Sequence, residues 1–323
     1  MIELFLYFFL IIIVLVNYKF RKIISYKINL IDRPDNIRKF HSSDVPLIGS
    51  FPLVLSLILS LIILKNDFSS YLIVPLVFFV FGLLDDIQNI SYNKKFIIWL
   101  ATLIIFYFFY PENLIKTVYF ESIQYKKILI FEHGLVLTIF CIIVFINAFN
   151  FSDGINSLSS YIAIIWLMVI NFVLLDEPRN YLSILIFCLL INSIVIYNGK
   201  YFLGDSGTLF LSSLIGLETI RIYNTSIISY ESIFILFMIP GIDMIRLFVT
   251  RLSKKKNPFL PDRNHLHHLL IKKYKLFYVL IIYLILVSIP IFLDLVLEIN
   301  VIYIISVTLT LYFLLIYNLK KFS

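Results

Sequence analysis

Eleven apolar runs, each near the length of a bilayer-crossing helix, follow one another along this chain with only short polar segments between them. A helix needs about 20 mostly apolar residues to cross the hydrocarbon core, with a range of roughly 17–25. By that measure spans are expected near 2–18, 45–64, 70–86, 95–110, 131–149, 158–175, 180–197, 207–223, 230–250, 274–296 and 300–318. Of 323 residues, 61% are hydrophobic and 15% charged, and the mean hydropathy is +0.97. A soluble domain runs nearer half apolar and about a quarter charged. The expected fold is therefore an all-α polytopic membrane protein of about 11 transmembrane helices, one domain over 1–323. The chain opens Met-Ile-Glu with no basic stretch ahead of its first apolar run, so a retained helix is expected rather than a cleaved leader. Cys141 and Cys188 sit inside apolar runs without metal-type spacing.

Lys and Arg give the orientation. With the N-terminus outside, the inner segments hold Arg33, Arg38, Lys39, Lys94, Lys95, Lys200, Lys254, Lys255, Lys256, Arg263, Lys272 and Lys273, among others. The outer side keeps only Lys65, Lys116, Lys126, Lys127, Arg179 and Arg221. The positive-inside bias places the N-terminus outside and the C-terminus in the cytoplasm. The net charge of +7 is spread between apolar runs rather than over one soluble face, which argues against nucleic acid and for anionic substrates or lipid headgroups. In the external segment after Pro111, Thr117–Phe120 and Lys127–Ile130 are expected to form a small hairpin.

Orientation turns scattered polar residues into a pattern, because five polar segments fall on the same cytoplasmic side. They are Asp32–His41, Asp85-Asp86, Asn147–Asn156, Gly204–Gly207 and Pro261–His268. A transporter would tend to place such groups near the membrane midplane; these sit at helix ends. Adjacent carboxylates at Asp85-Asp86 repel, and such a pair either holds a divalent cation or is a solvated helix end beside Lys94 and Lys95. Asn147 and Asn150 share a helix face, with a turn at Asp153-Gly154 and Asn156 beyond. Gly204-Asp205-Ser206-Gly207 opens an apolar run, where free N–H groups would welcome phosphate or where Asp205 or Ser206 simply caps a helix.

His265, His267 and His268 lie beside Asp262 and Arg263. Zinc is disfavoured, because no Cys joins them and the metalloprotease histidine spacing is absent. Arg with His suits a diphosphate better, while a basic loop on anionic lipid is the plainer reading. Asp243 and Arg246, one turn apart after Pro240, read either as a functional site or as a structural ion pair.

Taken in order, these segments resemble the polyprenyl-phosphate N-acetylhexosamine-1-phosphate transferase family, over about Asp32 to His268. The resemblance implies transfer of a phospho-N-acetylhexosamine, GlcNAc-1-phosphate first, from a UDP-N-acetylhexosamine to undecaprenyl phosphate with release of UMP. It implies Mg²⁺, with Mn²⁺ an alternative, at the cytoplasmic face of a bacterial inner membrane, and is in keeping with a homodimer. Asp85 and Asp86 match the family's paired aspartates, with Lys95 at its phosphate-binding lysine. Asn150 and Asp205 match metal positions. Asp153 and Asn156 match positions tied to the active site and uracil. Arg263, His265, His267 and His268 match the loop contacting diphosphate and sugar, and Asp32, Arg38, Lys39 and His41 match the first cytoplasmic loop.

Two departures bear on substrate choice. Asn156-Ser157 stands where many bacterial relatives have Asp-Gly, and Ser50 replaces a glycine usual after Gly49. An amide still pairs with uracil through both donor and acceptor. The same chemistry on another donor, such as the N-acetylquinovosamine or N-acetylfucosamine nucleotide, is the nearer alternative, and a nucleotide-sugar or lipid transporter the more distant one.

Overall fold

A computed structural model describes residues 2–34, 43–64, 72–120, 122, 126–129, 133–173, 180–225, 228–256 and 263–321. Each of the eleven expected spans falls on a helix: α1 (Ile2–Lys27), α2 (Phe51–Leu64), α3 (Ile73–Gln88), α4 (Tyr92–Phe109), α5 (Gly134–Ser152), α6 (Leu158–Val173), α7 (Asn180–Tyr197), α8 (Gly204–Asn224), α9 (Tyr230–Ser253), α11 (Leu276–Leu295) and α12 (Val301–Lys321). A short helix, α10 (Leu266–Ile271), lies within the expected cytoplasmic loop. Among the described residues, α4, α5, α9, α11 and α12 are long and apolar enough to cross a membrane, the make-up of a polytopic membrane protein.

The second expected span begins too early. Val45 precedes a proline, which disfavours helical backbone, and Val45–Pro46 (β2) instead pairs antiparallel with Ile31–Asp32 (β1). The helix starts only at Phe51. The expected hairpin forms as Thr117–Phe120 (β3) against Lys126–Leu129 (β4), with Thr117 opposite Leu129. The Tyr223 hydroxyl ties it down, accepting from the Tyr119 N–H at 2.8 Å and donating to the Thr117 carbonyl at 2.9 Å.

The chain forms two compact units, 1–109 with 159–218, and 110–158 with 219–323. In the first, α1, α2 and α7 pack on one another and α3 packs on α4. The buried Ser56 and Ser60 of α2 donate back to their own helix, to Leu53 and Leu57 carbonyls at 2.7 Å, and so bring no unpaired hydroxyl into the apolar packing. In the second, α9 lies against α5, α11 and α12, and α10 rests on α11 and α12.

Candidate active site

In the first unit, a tight turn creates the acidic site. Asn89 ends α3 in the left-handed region, at φ 50°, and its N–H returns to the Asp85 carbonyl at 2.8 Å. The Asp85 carboxylate takes the next amide, Ile90 N–H, at 2.9 Å. With α4 starting at Tyr92, Lys95 in its first turn comes back over the end of α3. Its ammonium pairs with Asp85 Oδ2 and lies 3.3 Å from Asp205 Oδ2. Asp85 is 4% exposed, whereas Lys95 and Asp205 are 25% and 37% exposed, so a ligand reaches the latter two first.

Asp205 is brought there by Asp86. An α-helix begins with N–H groups that have no partner within the helix. At the start of α8 two of them, on Asp205 and Ser206, donate to Asp86 Oδ1 and Oδ2 at 2.8 and 3.0 Å. The approach requires glycine on both sides. Gly204 has φ +75°, and a side chain there would also stand 2.7 Å from Asp86 Oδ2. A Cβ on Gly82, one turn before Asp86, would run into the Ser206 backbone. Ser50, the departure from the family glycine, holds the Ser206 hydroxyl at 2.8 Å.

The second unit assembles the histidines. The rings of His265 and His267 are nearly parallel, at 7° and 5.6 Å between centroids, and His268 lies 4.2 Å from His267. The end of α5 packs on them: Phe151 is 5.5 Å from the His265 ring, and a Cβ on Gly154 would strike the His267 and His268 imidazoles. Burial, with the neighbouring His268 and His265 adding to it, holds His267 well below the usual imidazole range and hence neutral. The His265 Nδ1 sits 2.8 Å from Asp243 Oδ2, a partner 22 residues earlier on α9.

The predicted residues thus gather in two groups, Asp85, Asp86, Lys95 and Asp205 in one unit, and the three histidines with the Asp153-Gly154 turn in the other. Asn150 lies in the last turn of α5, with Asp153 as its C-cap, Asn156 just beyond, and Arg263 half-buried ahead of α10. The Asn147 amide is spent on the Ile143 carbonyl, at 2.8 Å, within its own helix. Arg38, Lys39, His41 and Asp262 lie outside the described residues. Sequence reasoning found the charges of Asp243 but not its bond to His265, and found Asp86 but not its grip on α8. Only an unexpected carboxylate in an apolar helix signalled either.

Residues 68–223 match the model of glycosyl transferase family 4. Over that stretch the chain is similar to the family 4 glycosyl transferases. It is a transferase. Enzymes named undecaprenyl-phosphate alpha-N-acetylglucosaminyl 1-phosphate transferase resemble it along most of their length. That of Escherichia coli is 29% identical over 275 residues, covering 78% of this chain and 72% of the relative. That of Thermotoga maritima is 29% identical over 252 residues, 78% and 76% respectively. That of Yersinia pestis is 27% identical over 271 residues, 77% and 71%. The match of 68–223 contains Asp85, Asp86, Lys95, Asn150, Asp153, Asn156 and Asp205, and ends before the histidines.

Among the described residues, no three of His, Cys, Asp or Glu converge as metal ligands. That donor set still fits Mg²⁺, which keeps much of its water and is usually held by one or two carboxylates together with substrate phosphates. Asp205, half-buried beside Asp85 across the Lys95 ammonium, would supply a carboxylate of that kind.

Proposed function

We propose that this family 4 homologue transfers a phospho-N-acetylhexosamine, GlcNAc-1-phosphate first among the candidates, from its UDP-sugar to undecaprenyl phosphate. An oxygen of the lipid phosphate attacks the sugar-bearing phosphorus of the donor. The bond to the UMP oxygen breaks, and UMP leaves. The product is a lipid diphospho-sugar, the starting unit of a lipid-linked cell-surface polysaccharide. In this reading all eleven long helices cross a bacterial inner membrane, the chemistry lies at the cytoplasmic face, and the whole chain works as one transferase domain.

The observation that carries the reading is the Lys95 ammonium held between Asp85 and Asp205. Two anions must meet in this reaction, and phosphoryl transfer depends chiefly on alignment and on neutralising their charge. Lys95 supplies a cation at the mouth of the site, and the buried Asp85 orients it and takes or steers the proton of the lipid phosphate. Asp86 holds Asp205 and the open end of α8 in place. A Mg²⁺ ion held by Asp205, with Asn150 the other candidate ligand, would offset charge on the donor diphosphate. Asp153 and Asn156 serve the uracil end. Arg263 and the histidines serve the diphosphate and sugar, and Arg38, Lys39 and His41 the lipid phosphate side.

The test is UMP release by purified protein given undecaprenyl phosphate, Mg²⁺ and a panel of UDP-N-acetylhexosamines. UMP formed only when lipid and metal are both present supports the reading and names the sugar. Folded, lipid-supplied protein that releases none with any donor overturns it.

A further inference from the structure

The transferase reading leaves a buried network on α9 without a task. Asp243 Oδ1 accepts from Arg246 Nη2 at 2.8 Å and from the Tyr312 hydroxyl at 2.6 Å. The Leu266 N–H donates to both carboxylate oxygens at 3.2 Å, and Oδ2 faces His265 Nδ1 at 2.8 Å. Arg246 is itself fixed, with Nε on the Tyr312 oxygen at 2.8 Å and Nη2 on the Asn264 carbonyl at 2.6 Å. A guanidinium and a backbone amide can only donate. Tyr312 already accepts from Arg246, so its proton points to Asp243. The carboxylate is an acceptor throughout, and the shared proton with His265 is on Nδ1.

We propose that Asp243 is the positioning residue of the histidine cluster, fixing His265 as the Nδ1–H tautomer and leaving Nε2 as the ring nitrogen offered to the donor's diphosphate. The inference rests on the transferase reading for the ligand, and on the geometry alone for the tautomer. Which imidazole nitrogen is free is decided by the bond the other one makes. Held this way, the His265 ring is fixed by the Asp243 carboxylate from the side opposite Nε2. Buried ionic networks are weak evidence for stability as such. This one converges on the first residue of the histidine cluster, which is where orientation matters.

The experiment uses full-length protein in detergent with ¹⁵N-labelled histidine, the His265 signal being identified by its loss in His265→Gln. Wild type is expected to show a protonated Nδ1 and a bare Nε2. In Asp243→Asn the three Oδ1 donors keep the amide oxygen on their side, so the NH₂ faces His265 and the proton moves to Nε2. UMP formation, as kcat/KM for the UDP-sugar, is expected to fall by at least about 100-fold in that variant, as wrong-tautomer substitutions do elsewhere. Tyr312→Phe removes one donor from the same network; it is expected to lower Tm while leaving the His265 tautomer unchanged, which a purely structural role for Asp243 would not separate. A wild-type His265 carrying its proton on Nε2 overturns the proposal, even if no variant folds. So does Asp243→Asn with an unchanged tautomer, or with a switched tautomer and wild-type kcat/KM. If wild type releases no UMP at all, the transferase reading falls, and the tautomer in wild type and variant still decides the Asp243–His265 pair.

Discussion

The Asp86 carboxylate at the end of α3 accepts the backbone N–H groups of Asp205 and Ser206, at 2.8 and 3.0 Å, and thereby caps the start of α8. A cap drawn from another helix does two things at once. It satisfies amides that the helix leaves open, and it sets the place of the half-buried Asp205 side chain relative to Asp85 and Lys95.

Asp86→Asn puts an NH₂ group against one of those N–H donors. Leaving a buried donor unsatisfied costs about 1–3 kcal/mol. A lower Tm is expected, with UMP release reduced roughly 10- to 100-fold, as for other outer partners of a reacting group. Unchanged values for both would mean that Asp86 does not hold α8.

Lys95→Ala leaves Asp85 and Asp205 facing each other without their cation. Turnover is expected to fall by roughly 100-fold or more at saturating Mg²⁺. Asp205→Asn is expected to cut turnover by a similar factor while the protein stays in the membrane fraction. Near-normal activity of purified Asp205→Asn would remove the metal assignment.

Gly82→Ala drives a Cβ into the Ser206 backbone, which cannot swing aside as a side chain can. Overpacking of this kind costs about 1–3 kcal/mol. Gly241→Ala in α9 meets nothing within 4 Å and serves as the control. Thermal unfolding in detergent should show a lower Tm for the first and no loss for the second.

His267 is held neutral by burial, its pKa well below the usual value. An unfolded chain binds a proton there below about pH 6.5 while the folded one does not. Stability is therefore fully present above about pH 6.5 and is lost as pH falls towards the lowered native value. Tm measured between about pH 7.5 and 5 should drop less steeply in His267→Gln than in wild type. Parallel curves would place the pH sensitivity elsewhere.

Much of this architecture was legible in the sequence because bilayer-length apolar runs leave few alternatives. The backbone in such runs satisfies itself only as a helix, and among the described residues each of the eleven runs falls on a helix. The hairpin was legible too, displaced by one residue at its second strand. The start of α2 was not, because Leu47 and Ile48 are as apolar as the helix that follows, while Pro46 belongs to an extended pairing with Ile31.

Residue type and hydropathy alone place the ionisable groups at the helix ends: Asp85, Asp86, Lys95, Asp205 and the histidines. Side-chain chemistry and hydropathy are local, so a short window reveals them. Only the packing of the helices decides what each of these groups meets. Asp86 meets amides 119 and 120 residues away, Lys95 meets Asp205 across 110, and Asp243 meets His265 across 22. Hydrogen bonds depend on distances of a few tenths of an ångström and on direction. Neither is fixed until packing of the helices brings such remote positions together.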